Sequence, residues 1–295
     1  MKPLKRYFFL LAAALLLAGC SVPQNEPVQP AMSEQPVEVQ SVEEEPSAPE
    51  EPLPEPTPPA QPAPEEGAEV PAYDFTQPAP EREAVDNTYF EDAAFVGDSR
   101  TDGFMIYSGV GRGKNLTSNG LSIFQLAEKK ALKIGGEKYT LLEALSMADY
   151  GKVYLCLGVN ELGVYDDEGF YQSYLDAIDA IRDIQPGAVI YIQGLIPLNE
   201  EEIAAAGGKD YLKNDRLRVY NDLMRKAAEE TQVVFLDLYT AFADENGALP
   251  AGASRDGVHL KKEYCQQWLD YLKTHTVDAE LLGLSETEKE ERERV

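Results

Sequence analysis

A three-layer α/β/α sandwich around a mainly parallel sheet is the fold class that this 295-residue sequence predicts, over residues 89–280. Three features point to it. Short apolar runs of strand length alternate along the chain with longer segments patterned as amphipathic helices. The runs are apolar throughout rather than at every second residue, as in strands buried on both faces. Several of them end on glycine or on a polar cluster, at the sheet edge where such folds carry their chemistry. Strand alternating with helix calls for right-handed crossovers and helices on both faces of the sheet. The length suits one domain with a full core.

The first run is Ala93-Ala94-Phe95-Val96, which ends at Gly97-Asp98-Ser99. A second strand is expected between Gly113 and Asn119, on a weaker pattern. Thr140-Leu141-Leu142-Glu143 has the spacing of a capping box and starts a short helix through Met147. Lys152 to Leu157 is the most apolar run and ends at Gly158-Val159-Asn160. From Phe170 to Ile184, the residues Phe170, Tyr174, Ile178 and Ile181 form one stripe, and Pro186-Gly187 stops the helix. Ala188 to Ile192 is the next strand. Leu212 to Ala228 is a charged amphipathic helix carrying Leu217, Leu223 and Met224. Thr231 to Leu236 is the last strand, ending at Asp237. The final helix, about 261–273, puts Cys265, Trp268, Leu269 and Leu272 on one face.

The flanks are different material. Lys2, Lys5 and Arg6 precede an uncharged apolar run from Tyr7 to Ala18, the pattern of a secretory signal. The run is short for a bilayer span. Its end, Leu17-Ala18-Gly19-Cys20, resembles the bacterial lipobox, whose cysteine is acylated and becomes the first residue of the mature chain. Residues 1–20 are therefore expected to be a lipoprotein signal with Cys20 as the lipidation site, anchoring the protein to the outer face of the cell membrane. An uncleaved helical anchor with an incidental Cys20 is the alternative. Either way the rest of the chain is expected outside the cytoplasm.

Residues 21–88 are expected to be a disordered Pro/Glu-rich linker, and 281–295 a charged tail. Residues 21–80 hold 16 of the 20 prolines and 13 acidic groups, with no Lys or Arg. Such a stretch cannot bury enough apolar surface to offset the entropy of ordering it. The formal net charge is −26; removing the first 19 residues takes away three basic groups and no acidic one, leaving 23 against 52, or −29. That surface cannot neutralise phosphates, which argues against a nucleic acid partner. It is also repelled by an anionic membrane, so a lipid anchor must hold it there. Cys156 and Cys265 fall in apolar patterns and read as buried small hydrophobes. With no Cys-x-x-Cys and two histidines, a zinc site has little to build on.

Three polar islands remain. In Val96-Gly97-Asp98-Ser99-Arg100, a serine follows a buried strand directly, and the N–H groups of the next helix would point at it, which favours an oxyanion in acyl transfer. The plainer alternative is that Asp98 or Ser99 only caps that helix. In Gly158-Val159-Asn160-Glu161, the Asn160 amide can donate to an oxyanion, or merely turn the chain. In Asp256-Gly257-Val258-His259, a three-residue offset across a tight turn can bring a carboxylate to Nδ1 and leave the other nitrogen free to take a serine proton. His259 could also be a helix-start residue of no consequence, the reading given to His275 at the far end of the same helix.

The order Gly-Asp-Ser, Gly-x-Asn, then Asp-x-x-His near the C-terminus resembles that of the SGNH hydrolases, also called GDSL-like lipases and esterases, and it covers Ala93 to about Lys273. The resemblance implies the flavodoxin-like SGNH fold, with Ser99 as nucleophile, His259 as base and Asp256 as the carboxylate that orients it. It also implies an oxyanion hole made of the Ser99 N–H, a glycine N–H from the second block and the Asn160 amide. Gly120, in Asn119-Gly120-Leu121-Ser122, is the choice for that glycine, with Gly109, Gly111 and Gly113 as nearby alternatives. Many members carry aspartate after the asparagine; here it is Glu161, a change that leaves the oxyanion role intact.

The implied chemistry is ester hydrolysis through an acyl-enzyme, with no metal or organic cofactor. O-Acyl esters, first of all O-acetyl groups on a small molecule or on a cell-surface or extracellular glycan, are the expected substrates, acted on by a monomer. A lipase for longer acyl chains is the next choice, and the catalytic region lacks the long apolar run of a lipid-facing lid. A non-catalytic glycan-binding domain is the third, and it has no need of Asp256 and His259 beside Ser99.

Overall fold

The computed structural model describes residues 73–284. Cys20, most of the 21–88 stretch and most of the 281–295 tail lie outside the described residues. The elements run β1 (Ala93–Gly97), α1 (Ser99–Tyr107), β2 (Lys114–Thr117), β3 (Leu132–Ile134), β4 (Glu137–Tyr139), α2 (Leu141–Leu145), β5 (Lys152–Cys156) and α3 (Asp167–Ile184). They continue with β6 (Val189–Gln193), α4 (Glu200–Ala205), α5 (Asn214–Thr231), β7 (Val234–Leu236), α6 (Leu238–Phe242) and α7 (Lys262–Thr274). The main sheet has the order β2-β1-β5-β6-β7 with every pair parallel, and β3 and β4 form a separate antiparallel hairpin. This is the α/β/α sandwich that the alternation of runs predicts.

Strand register explains the core. Phe95 lies opposite Tyr154, and Tyr154 opposite Tyr191. Their rings stack at 5.0 Å and 4.6 Å, which makes an aromatic ladder across three strands. On that face, Phe104 of α1 meets both Phe95 and Trp268 of α7. On the other side of the sheet α3 packs against α5, with the Phe170 and Tyr220 rings stacked at 3.7 Å. The predicted stripe Phe170, Tyr174, Ile178 and Ile181 is buried, and the Thr140–Glu143 capping box is formed in both directions.

Several boundaries differ from the sequence reading: α3 begins at Asp167, before Phe170, and α2 ends at Leu145, before Met147. The helix expected to end at Ala228 runs to Thr231, so the last strand shrinks to Val234–Leu236. Thr231 donates its hydroxyl to the Ala227 carbonyl, Gln232 turns left-handed at φ 53, and the Val233 N–H bonds the Ala228 carbonyl. These helix-end bonds outweigh the strand preference of one threonine. The packed chain also begins before residue 89. Ala79 is buried, and its N–H donates to the Phe235 carbonyl on the outer edge of β7. The Arg82 and Val85 N–H groups bond the Thr274 and Lys273 carbonyls at the end of α7, and Arg82 pairs with Asp278.

Candidate active site

Ser99 is the first residue of α1, directly beyond the carboxyl end of β1. Gly97 makes the sharp turn possible: a Cβ there would stand 2.1 Å from Thr101 Oγ1 and 2.8 Å from the Cys156 carbonyl oxygen. Capping and a free serine hydroxyl coexist at the first island. Asp98 is the helix cap, accepting the Arg100 N–H at 2.8 Å, and the Ser99 hydroxyl is left free. It meets His259 Nε2 at 2.9 Å.

His259 is oriented by its own loop. Asp256 Oδ2 lies 2.8 Å from His259 Nδ1, while Oδ1 accepts the N–H groups of Val258 and His259. Burial works to raise the Asp256 pKa, but these bonds and the imidazole outweigh it and hold the carboxyl below the usual aspartate value. The carboxylate is thus kept charged beside a ring nitrogen that must carry a proton. Gly257 sits at φ +85 with no room for a side chain, since a Cβ would be 2.3 Å from the Asn199 carbonyl oxygen. A bridge between Ser254 and Leu260 closes the loop at its base.

Asn160 stands at the carboxyl end of β5, and its Nδ2 donates to Asp98 Oδ2 at 3.1 Å and to the Leu121 carbonyl at 3.0 Å. With two acceptors facing the same atom, the amide orientation is fixed: its oxygen points away from them. The Asn160 side chain therefore joins the Gly-Asp-Ser block and the turn that holds Gly120 to its own block. Gly120 lies in the Ser118–Leu121 turn after β2, exposed and at φ +68. Of the four glycines considered, it alone follows β2 and so falls at the sheet edge that holds Ser99; Gly109, Gly111 and Gly113 precede that parallel strand.

Other groups of the site carry no motif. Glu161 is 1% exposed and accepts the Ile123 N–H, which ties the 118–123 loop to the Asn160 turn. Burial pushes its pKa up to about 7, against that bond. Asp98 is also buried, and its pKa is raised by burial in spite of the Arg100 N–H and charge. Arg100 lies under the site with one nitrogen on the Ile196 carbonyl at 2.9 Å. A pocket of about 220 Å³ opens beside Ser99 and His259, lined also by Asp102, Ile106, Asn119 and Arg255. Cys265 touches it, but burial pushes that thiol up to about 11 and it offers no competing nucleophile. The position of Glu161 within a polar island was the available signal for it, and Arg255 adjoins Asp256 in another. Among the described residues no group of three His, Cys, Asp or Glu side chains could hold a metal ion, and no helix is long and apolar enough to cross a membrane.

Residues 95–264 match the GDSL-like Lipase/Acylhydrolase family. No curated protein matches the chain. Among solved structures the chain is similar to a Streptococcus pneumonia protein described as a platelet activating factor, at 22% identity over 65% of this chain and 84% of that one, with a TM-score of 0.50. It is also similar to a GDSL-like lipase from Bacteroides thetaiotaomicron VPI-5482, at 15% identity over 62% and 86%, with a TM-score of 0.44. An acetyl xylan esterase matches at 16% identity over 63% and 99%, also with a TM-score of 0.44. At 22% identity the first likeness speaks for the fold alone. The family match spans more than half of the chain and includes the paired Ser99 and His259; the chain belongs to the GDSL-like lipase/acylhydrolase family and is a serine hydrolase of that type.

Proposed function

We propose that the protein is an exported, lipid-anchored serine esterase that removes short O-acyl groups, O-acetyl foremost, from a cell-surface or extracellular glycan. The observation that carries the reading is the 2.9 Å contact of Ser99 Oγ with His259 Nε2, backed by Asp256 on Nδ1. The small pocket supports the choice of acyl group. Its volume, about 220 Å³, is below the range of roughly 300–1,000 Å³ usual for sites that enclose larger organic ligands, and Asp102, Asn119 and Arg255 make its walls polar. A long hydrocarbon chain gains little there. Export and anchoring at Cys20 rest on the Leu17-Ala18-Gly19-Cys20 junction after the apolar run.

The reaction follows from the geometry. His259 Nε2 takes the hydroxyl proton as Ser99 Oγ bonds to the ester carbonyl carbon. Asp256 stabilises the imidazolium that forms. The Ser99 and Gly120 N–H groups and the Asn160 amide hold the negative oxygen, with Asn160 turning one hydrogen from its present acceptors to the new one. The C–O bond to the alcohol breaks, His259 protonates that alcohol, and the acyl group stays on Ser99. Water then attacks, passes a proton to His259, and the acid leaves as Ser99 recovers its own.

The test is covalent labelling with a fluorophosphonate, together with turnover on esters of increasing acyl length. Wild type should label at Ser99 and prefer the two-carbon acyl group, and Ser99→Ala should lose both label and turnover. Asn160→Ala should keep the label but lose about 10²–10³ in kcat, the usual cost of one oxyanion donor. A folded Ser99→Ala protein with normal turnover would end the esterase reading, and a preference for long chains would end the O-acetyl one.

A further inference from the structure

The domain is strongly acidic, and almost every arginine in it is already spent. Among the described residues Arg82, Arg112, Arg216, Arg218 and Arg225 pair with carboxylates. Arg100 and Arg182 donate to the carbonyls of Ile196 and Thr231. Arg255 does neither. Its guanidinium lies over the Tyr107 ring, 4.8 Å from the centroid, exposed to solvent and in the wall of the pocket that holds Ser99 and His259.

Its placement is rigid at both ends. The Arg255 N–H bonds the His259 carbonyl at 2.9 Å, so the residue is fixed to the base. Tyr107 ends the helix that Ser99 begins. The carboxylates nearby are engaged elsewhere. Asp256 is turned to His259 and Val258, and Asp102 Oδ1 accepts from Asn115 and Thr117. An arginine fork is the side chain best matched to a planar pair of anionic oxygens. In a protein with 52 acidic and 26 basic groups, a guanidinium beside the nucleophile that meets the Tyr107 side chain but no carboxylate or carbonyl points to an anionic acceptor supplied by the substrate.

We infer that Arg255 reads a carboxylate: the ester that this protein cleaves is carried on an acidic sugar, whose carboxylate lies on the Arg255 guanidinium while the acyl carbonyl lies over Ser99. This rests on the esterase reading above and narrows its substrate class. Arg255 is a binding residue in it, and the chemistry at Ser99 is unchanged.

The experiment compares three matched O-acetyl glycosides: a hexuronate, its uncharged methyl ester, and the corresponding hexose 6-phosphate. For wild type, kcat/KM on the uronate should exceed that on the methyl ester about 10- to 100-fold, mostly through KM, as expected for a hydrogen-bonded charge. Arg255→Gln should bring this ratio close to one, and Arg255→Lys should keep part of it. The ratio is the readout, so a general loss of activity in a variant cancels. A second measurement needs no variant: because Arg255 is exposed, the wild-type preference should shrink as salt rises. Equal rates on uronate and methyl ester, a ratio unmoved by Arg255→Gln, or a preference indifferent to salt would overturn the inference while leaving the esterase standing. A larger preference for the phosphate would overturn the carboxylate assignment. If no ester is cleaved and Ser99 takes no label, the esterase reading falls, and this inference with it.

Discussion

Glu161 couples two loops of the site through one buried carboxylate, and burial holds its pKa near 7, well above its ordinary value of 4.5; the buried Asp98 pushes in the same direction. Between those two values the native protein binds more protons than the unfolded chain. This group therefore weakens the fold as pH rises through the window, and it adds no further change above it. Glu161→Gln should remove that slope. The stability difference between variant and wild type, from urea midpoints at about pH 4 to pH 8, should shift by on the order of 3 kcal/mol in favour of the variant. Parallel curves would show that this carboxyl is not held protonated. The catalytic residues were legible in the sequence because each depends on near neighbours. Gly97 frees the turn before Ser99, and Asp256 reaches His259 across three residues. The loop-tying role of Glu161 was not, although the residue stood in a polar island, because its partner Ile123 lies 38 residues away and no local pattern records the meeting. Arg255 was missed for the same reason: its setting depends on Tyr107, brought to it by the packing of α1 beside the His259 loop.

At the scale of elements, the short helix α4 is what fixes the Asp256–His259 loop. Glu202 on α4 accepts the Gly252 N–H and the Ser254 hydroxyl, and the Asn199 N–H bonds the Gly257 carbonyl. Gly257→Ala should strain both sides of this seam. The left-handed backbone and the contact with the Asn199 carbonyl and Ile203 together should cost about 2–5 kcal/mol. Thermal melting should show that loss, and kcat/KM should fall, since the base and the pocket wall at Arg255 lie on the same loop and move together. A variant as stable and as fast as wild type would mean that α4 yields freely. The long helices and central strands were readable because their periods repeat or their apolar runs are unbroken. The helices α4 and α6 and the β3–β4 hairpin were not. A helix of five or six residues shows less than two turns of periodicity, and three-residue strands show no alternation. Gly135-Gly136 was the one turn signal for the hairpin.

Over the whole molecule, the segment from Tyr73 to Val85 acts as a strap across the end of the sheet. Ala79 covers part of the outer edge of β7, and Arg82 and Val85 hold the end of α7. Its composition continues that of the preceding proline-rich stretch, so nothing in the residue types marks it; the strap works through backbone N–H groups, which composition does not encode. A chain beginning at Tyr73 should match the full protein in urea midpoint. One beginning at Asp86 loses three backbone bonds and the Arg82–Asp278 pair, and should be less stable by about 2–4 kcal/mol. It should also self-associate through the bared β7 edge, as light scattering would record. Equal midpoints for the two chains would show that the strap is not part of the folding unit.

Trp268 is the one tryptophan of the chain, and it is 1% exposed. Its indole N–H donates to Gln193 at 2.9 Å, and its ring lies 4.8 Å from Phe104 on the helix that Ser99 begins. Indole emission from this protein therefore comes from a single seam, between the last helix and the one that carries the nucleophile. A shift in its colour or lifetime on acylation would report movement of that helix, with no dye attached and no second indole to blur the signal.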